Sequence, residues 1–303
     1  MTTSVLITGA SGLIGTRLTE MLLQKGYRVV HLGRSKRNVG IPSFVWDFQK
    51  QTIDPEALSG VHTIIHLAGA GVAEQRWNKR RKKEILDSRI DSTELLYQSL
   101  KKIPNEVHSV IAASAIGYYG FGLSHDLLGE EAPPGQDFLS TVVVAWEQKL
   151  DQLINLGKRI AKIRIGIVLS EQGGALAEIA RPVKFGIGAP LGTGKQMVSW
   201  IHIDDLCRLF IRAIENPEMQ GTYNGVAPRA VTNEELTKAI ARTLHRPLWL
   251  PPIPGFALHI LIGEMADLVI HGSNVSASKT MQAGFQFEFT DINLAVKDLL
   301  SRR

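Results

Sequence analysis

The sequence predicts an α/β fold, a doubly wound parallel sheet covered on both faces and followed by a smaller C-terminal lobe. Three observations predict it. Apolar runs of strand length alternate with helix-length segments as far as Leu169, the pattern of repeated β-α units. The first strand passes into a helix through the glycine-rich turn Thr8-Gly9-Ala10-Ser11-Gly12-Leu13-Ile14-Gly15. Beyond Leu169 the texture changes to glycine- and proline-rich connections between shorter elements. A chain of 303 residues can hold one large or two modest domains. The change of texture divides it into residues 1–170 and 171–303, with 196–230 expected to return to the first domain.

The elements follow in order. Val5 to Thr8 is a buried strand, and the helix after Gly12 leads to a second strand, Arg28 to Ser35. Ser43 to Phe48 is a third strand; Asp54-Pro55 then offers an N-cap and a first-turn proline for a short helix. His62 to Gly69 is a fourth strand ending in small residues, which leave room for a ligand across the strand end. A long helix from Asn78 to Lys101 precedes a fifth strand, Val107 to Ser114, and a helix from Thr141 to Leu156 precedes a sixth, Arg159 to Leu169. In the second lobe Gly173-Gly174 opens a helix, and Gly186 to Lys195 is a flexible loop. That loop is no P-loop, because Gln196 stands where a magnesium-binding Ser or Thr belongs. Trp200 to Asp205 reads as a strand entering a helix with an Asp as N-cap, and Thr232 with Glu235 as a capping box. Pro251, Pro252 and Pro254 then interrupt, before an apolar helix and a hairpin-like Gln286 to Phe289.

The glycine turn carries the chemistry. Gly9 can adopt a backbone conformation closed to residues with a Cβ, Gly12 lets the main chain approach a pyrophosphate, and Gly15 lets the helix pack close to the strand. The spacing alone also fits an ordinary β-turn-α connection. The strand before it and the amphipathic helix after it decide for a dinucleotide, held by Gly9, Ala10, Ser11, Gly12, Leu13, Ile14 and Gly15 at a helix N-terminus. At the end of the second strand a site for NAD(H) would carry a carboxylate for the ribose 2′-hydroxyl. Gly33, Arg34 and Ser35 stand there instead. A guanidinium with no carboxylate beside it suits a 2′-phosphate, so NADP(H) is favoured over NAD(H). Read blandly, Arg34 is a solvated loop arginine.

Composition excludes several classes. With 44% hydrophobic and 21% charged residues the chain is not disordered. Its one cysteine, Cys207, rules out an internal disulfide or thiolate cluster and points to a reducing, cytoplasmic setting. No signal pattern opens the chain, and the apolar stretch Gly255 to Gly272 is broken by His259, Glu264 and Asp267, so no membrane partner is expected. The net charge is +5, and Arg76-Trp77-Asn78-Lys79-Arg80-Arg81-Lys82-Lys83 is a local basic run. A solvated helix face explains it first, steering of anionic ligands second, and a regulator that touches nucleic acid last. Nucleic acid is therefore not the expected partner; an unidentified small-molecule substrate is. No residue set suggests a metal.

Thr8-Gly9-x-x-Gly12-x-x-Gly15, Leu67-Ala68-Gly69, Ser114-Ala115-Ile116-Gly117-Tyr118-Tyr119-Gly120 and Trp200-Ile201-His202-Ile203-Asp204-Asp205 together resemble an extended short-chain dehydrogenase/reductase, a Rossmann-type fold. Within it the chain is similar to the NAD-dependent epimerase/dehydratase-like group called epimerase family proteins, which carry a C-terminal domain of unknown function. Arg76-Trp77-Asn78, Ala145-Trp146-Glu147, Gly173-Gly174-Ala175-Leu176, Phe185 to Gln196 and Ala283-Gly284-Phe285 extend the match over nearly the whole chain. The resemblance implies that Gly9 to Gly15 bind pyrophosphate, Arg34 and Ser35 the 2′-phosphate, and Leu67, Ala68 and Gly69 the adenosine and ribose. Glu84 and Arg89 would line the cofactor or form a helix-surface pair, and Val168 would lend main chain to the nicotinamide amide.

For catalysis the resemblance implies a Tyr, a Lys four residues later and a Ser or Thr near the end of the fifth strand. Ser114 fits the last role. The Tyr and Lys positions, counted back from Glu147, hold Leu139 and Val143. Tyr97-x-x-x-Lys101 has the spacing but lies on the wrong helix. Tyr118 or Tyr119 remains as proton donor to a carbonyl that receives hydride from NADPH, with Tyr118 and Ser114 the candidate catalytic pair. The alternatives are a non-catalytic NADPH-binding regulator or redox sensor, and a nucleotide-sugar epimerase or dehydratase, which needs the missing Tyr.

Overall fold

The computed structural model describes residues 3–48, 50–122 and 126–301. Its centre is an eight-stranded sheet built from β1 (Ser4–Thr8), β2 (Arg28–Gly33), β3 (Ser43–Asp47), β4 (Thr52–Ile53), β5 (Thr63–His66), β6 (Ser109–Ala115), β8 (Arg159–Ile165) and β12 (Gly221–Gly225), in the order β12-β8-β6-β5-β1-β2-β3-β4. Between β6 and β8 the chain adds the short β7 (Leu127–Leu128). All pairs are parallel except β3 with β4, an antiparallel edge that joins Trp46 to Ile53. Helices α1 (Leu13–Gln24) and α5 (Ile203–Glu215) pack together, as do α2 (Lys79–Lys102) and α3 (Phe138–Asp151).

Sheet burial explains the apolar runs. Val5, Leu6, Ile7, Ile64, Ile65, Val110, Ile111 and Ile163 are wholly buried, because strands covered on both faces carry apolar side chains at successive positions rather than at alternate ones. The strand order also fixes where a ligand can lie. From β1 the chain moves outward through β2 and β3, then returns to the other side of β1 with β5. The crevice therefore opens between the carboxyl ends of β1 and β5, where the winding reverses.

Several boundaries differ from the sequence reading, each for a local reason. The third helix begins at Phe138 rather than Thr141, because the Asp137 side chain accepts the amide of Ser140 at 3.0 Å and caps it. It gives way to a 3-10 turn over Gln152–Leu156. The sixth strand does not run on to Leu169. The Gly166 amide still reaches Gly225, but that of Ile167 turns to Ser199, and β9 (Ile167–Leu169) pairs with β11 (Trp200–His202) outside the main sheet. The N-cap of α5 is His202, whose Nδ1 accepts the amide of Asp204 at 3.1 Å, not an aspartate. Asp204 and Asp205 are used elsewhere. Asp204 takes Arg17 Nε at 2.6 Å, and Asp205 accepts the amides of Glu288 and Phe289. That clamp holds residues 286–289 as an extended segment against α5, with the Phe289 ring 3.7 Å from His202, so no hairpin forms there.

Beyond β9 come α4 (Gly174–Lys184), β10 (Met197–Val198) paired with β13 (Val231–Thr232), and α6 (Asn233–Thr243), whose Thr232–Glu235 capping box is present. Then follow α7 (Gly255–Ile262), α8 (Asp267–Ile270), β14 (Asn274–Val275) paired with β7, α9 (Ser278–Gln282) and α10 (Ile292–Ser301). Helices α4 and α10 pack on α6, their buried side chains continuous with the core of the main sheet, while α9 lies against β12.

Candidate functional site

At the crevice the glycine turn is shaped for close approach. Gly9 has φ +70°, and a Cβ there would stand 2.9 Å from the carbonyl of Leu67. A Cβ on Gly15 would come within 2.4 Å of the Gly9 carbonyl oxygen, so only glycine lets α1 start this near β1. The N-terminus of α1 is left open. Gly12 caps it with no side chain, and no acidic residue occupies its first turn. Its free amides and the positive end of the helix dipole thus face the crevice beside exposed Ser11. An anionic pyrophosphate fits this cradle.

Across the crevice the chain brings other predicted residues to the same place. Gly174, which opens α4, lies against the Leu13 side chain and the Val168 carbonyl, so Leu13 of the glycine turn and Val168 of β9 are both its neighbours. Past β2, Arg34 and Ser35 are exposed, and Arg34 makes no ion pair or hydrogen bond among the described residues. Arg37 does. Its Nη1 donates to the Ala10 carbonyl at 3.0 Å, and its amide donates to Ser43 Oγ. A second guanidinium is therefore held directly on the glycine turn. The sequence reading missed it, although Lys36 and Arg37 continue the basic stretch that Arg34 begins.

A buried relay fixes the far wall. Thr8 Oγ1 accepts the amides of Leu67 and Ala68 at 3.1 and 3.2 Å and lies 2.9 Å from His66 Nδ1. With both lone pairs engaged, the hydroxyl donates its single proton to Nδ1, which places the ring proton on Nε2. Nε2 faces Thr93 and Ser92, whose hydroxyls both donate to the Arg89 carbonyl. Burial holds the His66 pKa down at about 4, so the ring is neutral. Arg89 itself donates from Nη1 to the Ala70 and Ile85 carbonyls and stands 5.1 Å over the Trp146 ring. Burial, with Arg81 nearby, lowers its pKa to about 10. Gly69 lies over the Arg89 side chain. Glu84, on the same helix, is exposed and pairs with Arg81 at 3.0 Å, and Arg81 also takes Glu74.

The end of β6 is a closed cluster. Ser114 is buried and donates to Glu147 Oε1 at 2.6 Å; Arg164 binds the same carboxylate through Nε and Nη2, both at 2.9 Å. Burial pushes the Glu147 pKa up, yet the Arg164 and Ser114 hydrogen bonds outweigh it and leave the group below its usual value. Nη1 of Arg164 reaches Tyr119 Oη, which donates to Asn224 at 2.7 Å. Tyr119 is thereby fully engaged. Tyr118 differs: it is only partly buried, its ring carries the Arg164 guanidinium 3.3 Å from the centroid, and its hydroxyl has no partner among the described residues. Leu139 and Val143 pack on Gly117 in the same turn, so the positions expected for a Tyr and a Lys do face Ser114's loop but are aliphatic and buried. Tyr97 and Lys101 lie on α2. Among the described residues no cluster of His, Cys, Asp and Glu could hold a metal.

Two family models match the chain, the NAD dependent epimerase/dehydratase family over residues 5–138 and the Domain of unknown function (DUF1731) over 253–299. Epimerase family protein YfhF of Bacillus subtilis is 33% identical over 302 residues, spanning 99% of both proteins. The chain belongs to the epimerase family. A crystal structure of human epimerase family protein SDR39U1 (isoform 2) with NADPH superposes at a TM-score of 0.88, with 28% identity over 99% of this chain and 100% of that one. The UDP-N-acetylglucosamine 4-epimerase of Bacillus cereus superposes at 0.80 with 19% identity over 98% of each, a likeness of fold alone. The glycine cradle of this epimerase-family chain falls inside the first matched segment, and α7 to α10 inside or against the second.

Proposed function

We propose that the chain is an NADP(H)-dependent oxidoreductase acting on a small carbonyl compound in a reducing, cytoplasmic setting. The observation that carries the cofactor half is the uncapped N-terminus of α1 flanked by two guanidinium groups and no carboxylate, Arg34 exposed and Arg37 held on Ala10. Gly9 to Gly15 would hold the pyrophosphate, Arg34, Ser35 and Arg37 the 2′-phosphate, and Leu67 to Gly69 the ribose side, stiffened by the Thr8–His66 relay. NADPH bound in the human SDR39U1 structure supports this reading. When bound, the reduced nicotinamide supplies a hydride to a carbonyl carbon. Tyr118 holds the proton for the carbonyl oxygen. Arg164 stacks on its ring, fixed in turn by Glu147 and Ser114, so that Ser114 acts as a positioning residue rather than by touching substrate.

A second reading is an NADPH-binding sensor without turnover, favoured by the aliphatic Leu139 and Val143 and by the engagement of Ser114's proton with Glu147. Sugar epimerisation is the least supported, because the likeness to sugar epimerases under a quarter identical is one of fold. The test is NADPH oxidation against a panel of small aldehydes, ketones and quinones. Oxidation that falls at least tenfold in Tyr118→Phe, with NADPH binding retained, supports the oxidoreductase; oxidation at equal rates in wild type and variant takes the proton from Tyr118, and no oxidation above background by a wild type that binds NADPH removes the oxidoreductase and leaves the sensor.

A further inference from the structure

The basic run and the most apolar helix of the chain, far apart in sequence, meet in space. Helix α7 is apolar on almost every side, yet only Leu258 of it is buried; Phe256, Ile260 and Leu261 are 71%, 72% and 66% exposed. Trp249, just upstream, is 68% exposed and is held by an indole hydrogen bond to the Gly186 carbonyl beside exposed Phe185 and Ile187. A helix with this composition buries most of its surface in a protein core, and an apolar patch of this extent is larger than solitary surface residues account for. Arg76 donates to the carbonyls of Ile260 and Leu261, closing the C-terminal end of α7, and Lys82 pairs with Glu264 just beyond it. These bonds dock the first turn of α2 on α7. Lys79 and Arg80, both exposed, lie within one helical turn of Lys82, and exposed Lys83 is taken by Asp87 on the same helix.

We propose that this face docks on an anionic lipid surface, with Trp249, Phe256, Ile260 and Leu261 entering the headgroup region and Lys79 and Arg80 meeting the lipid phosphates. Aromatic and aliphatic side chains beside a cluster of lysine and arginine are what an interfacial helix presents to a bilayer. Charge complementarity decides between occupants. The net charge of +5 and the basic fringe repel a second copy brought face to face, and favour a negative partner. The expectation of no membrane partner rests on the lack of a spanning segment; indeed no described helix is long and apolar enough to cross a bilayer. A helix lying on the surface needs no span. The proposal is independent of the carbonyl reaction, since none of these residues belongs to the glycine cradle or the Ser114 cluster.

The test is co-sedimentation of the full chain with vesicles of phosphatidylcholine alone and of phosphatidylcholine mixed with phosphatidylglycerol, at low and high salt. Binding to the mixed vesicles should exceed binding to phosphatidylcholine by on the order of tenfold and fall steeply with salt. The double variants Phe256→Ser with Ile260→Ser, and Lys79→Glu with Arg80→Glu, should each weaken it by on the order of tenfold or more. Both sites are exposed, and an unchanged melting temperature with NADPH will show that the variants fold. No binding to the mixed vesicles, equal binding to both lipids, or binding indifferent to both variants would overturn the proposal. So would a dimer in light scattering that Phe256→Ser with Ile260→Ser abolishes, which would assign the face to a second copy.

Discussion

The two ends of the same sheet edge are finished in opposite ways. Around β1 and β2 the helix N-terminus is uncapped and Arg34 has no partner among the described residues; around β6 and β8 almost every polar group of Ser114, Glu147, Arg164, Tyr119 and Asn224 is paired with another. A protein leaves strong donors unsatisfied at the edge of a crevice only where a ligand or water completes them, whereas a closed ionic network inside a fold serves position and rigidity. The first region is therefore built to receive something from outside. The second is built to hold Tyr118 in place.

If the paired cluster is structural in this sense, breaking it should cost most. Glu147→Gln leaves the buried Arg164 guanidinium without its counter-charge and should destabilise the chain by about 3–5 kcal/mol in urea unfolding. The same carboxylate sets an acid limit. Its folded pKa lies below the usual 4.5, so its contribution is complete above that value and is lost as pH falls through the depressed one. At the open end Gly15→Ala forces a Cβ to 2.4 Å from the Gly9 carbonyl oxygen. We expect a cost of up to about 3 kcal/mol from overpacking and complete loss of the melting-temperature rise that NADPH gives.

His66 belongs to the wall between the two regions, and its effect is read with pH. The neutral ring binds its proton only near pH 4, while in the unfolded chain the value is 6.5, so stability falls as pH drops through that interval. Between pH 7 and 5 it should contribute a loss of about 2 kcal/mol, absent from a His66→Gln variant compared in the same buffers. Ser114→Ala removes one of several hydrogen bonds to Glu147 and should cost about 1.5 kcal/mol without changing NADPH affinity. The smallest stability effect belongs to Tyr118→Phe, within about 0.5 kcal/mol of wild type. A much larger loss there would mean that its hydroxyl is part of the paired network, and the contrast between the two regions would blur.

What was legible in the sequence follows the same division. The glycine cradle, the strand-helix alternation and Arg34 are encoded by neighbours in the chain, because a turn and the helix it opens are local. Arg37 was not, since its hydrogen bond to Ala10 spans 27 positions. Nor was the Ser114 cluster, which assembles Glu147 and Arg164 from a helix and a strand that follow it by 33 and 50 residues. The aspartates before α5 fit an N-cap pattern, but distant Arg17 and the 288–289 amides compete for them, and His202 takes the cap. The break at Gly166 was hidden because Arg159 to Leu169 reads as one continuous β-branched strand, while two different sheets receive its parts.

The most direct test of the central claim is calorimetric titration of the chain with NADPH and with NADH, repeated on Arg34→Ala with Arg37→Ala. NADPH should bind at least about tenfold more tightly than NADH in the wild type, and the double variant should erase that preference by weakening NADPH alone, as the loss of charge-assisted bonds to one phosphate requires. Equal affinities in the wild type, or a preference that survives the double variant, would contradict it.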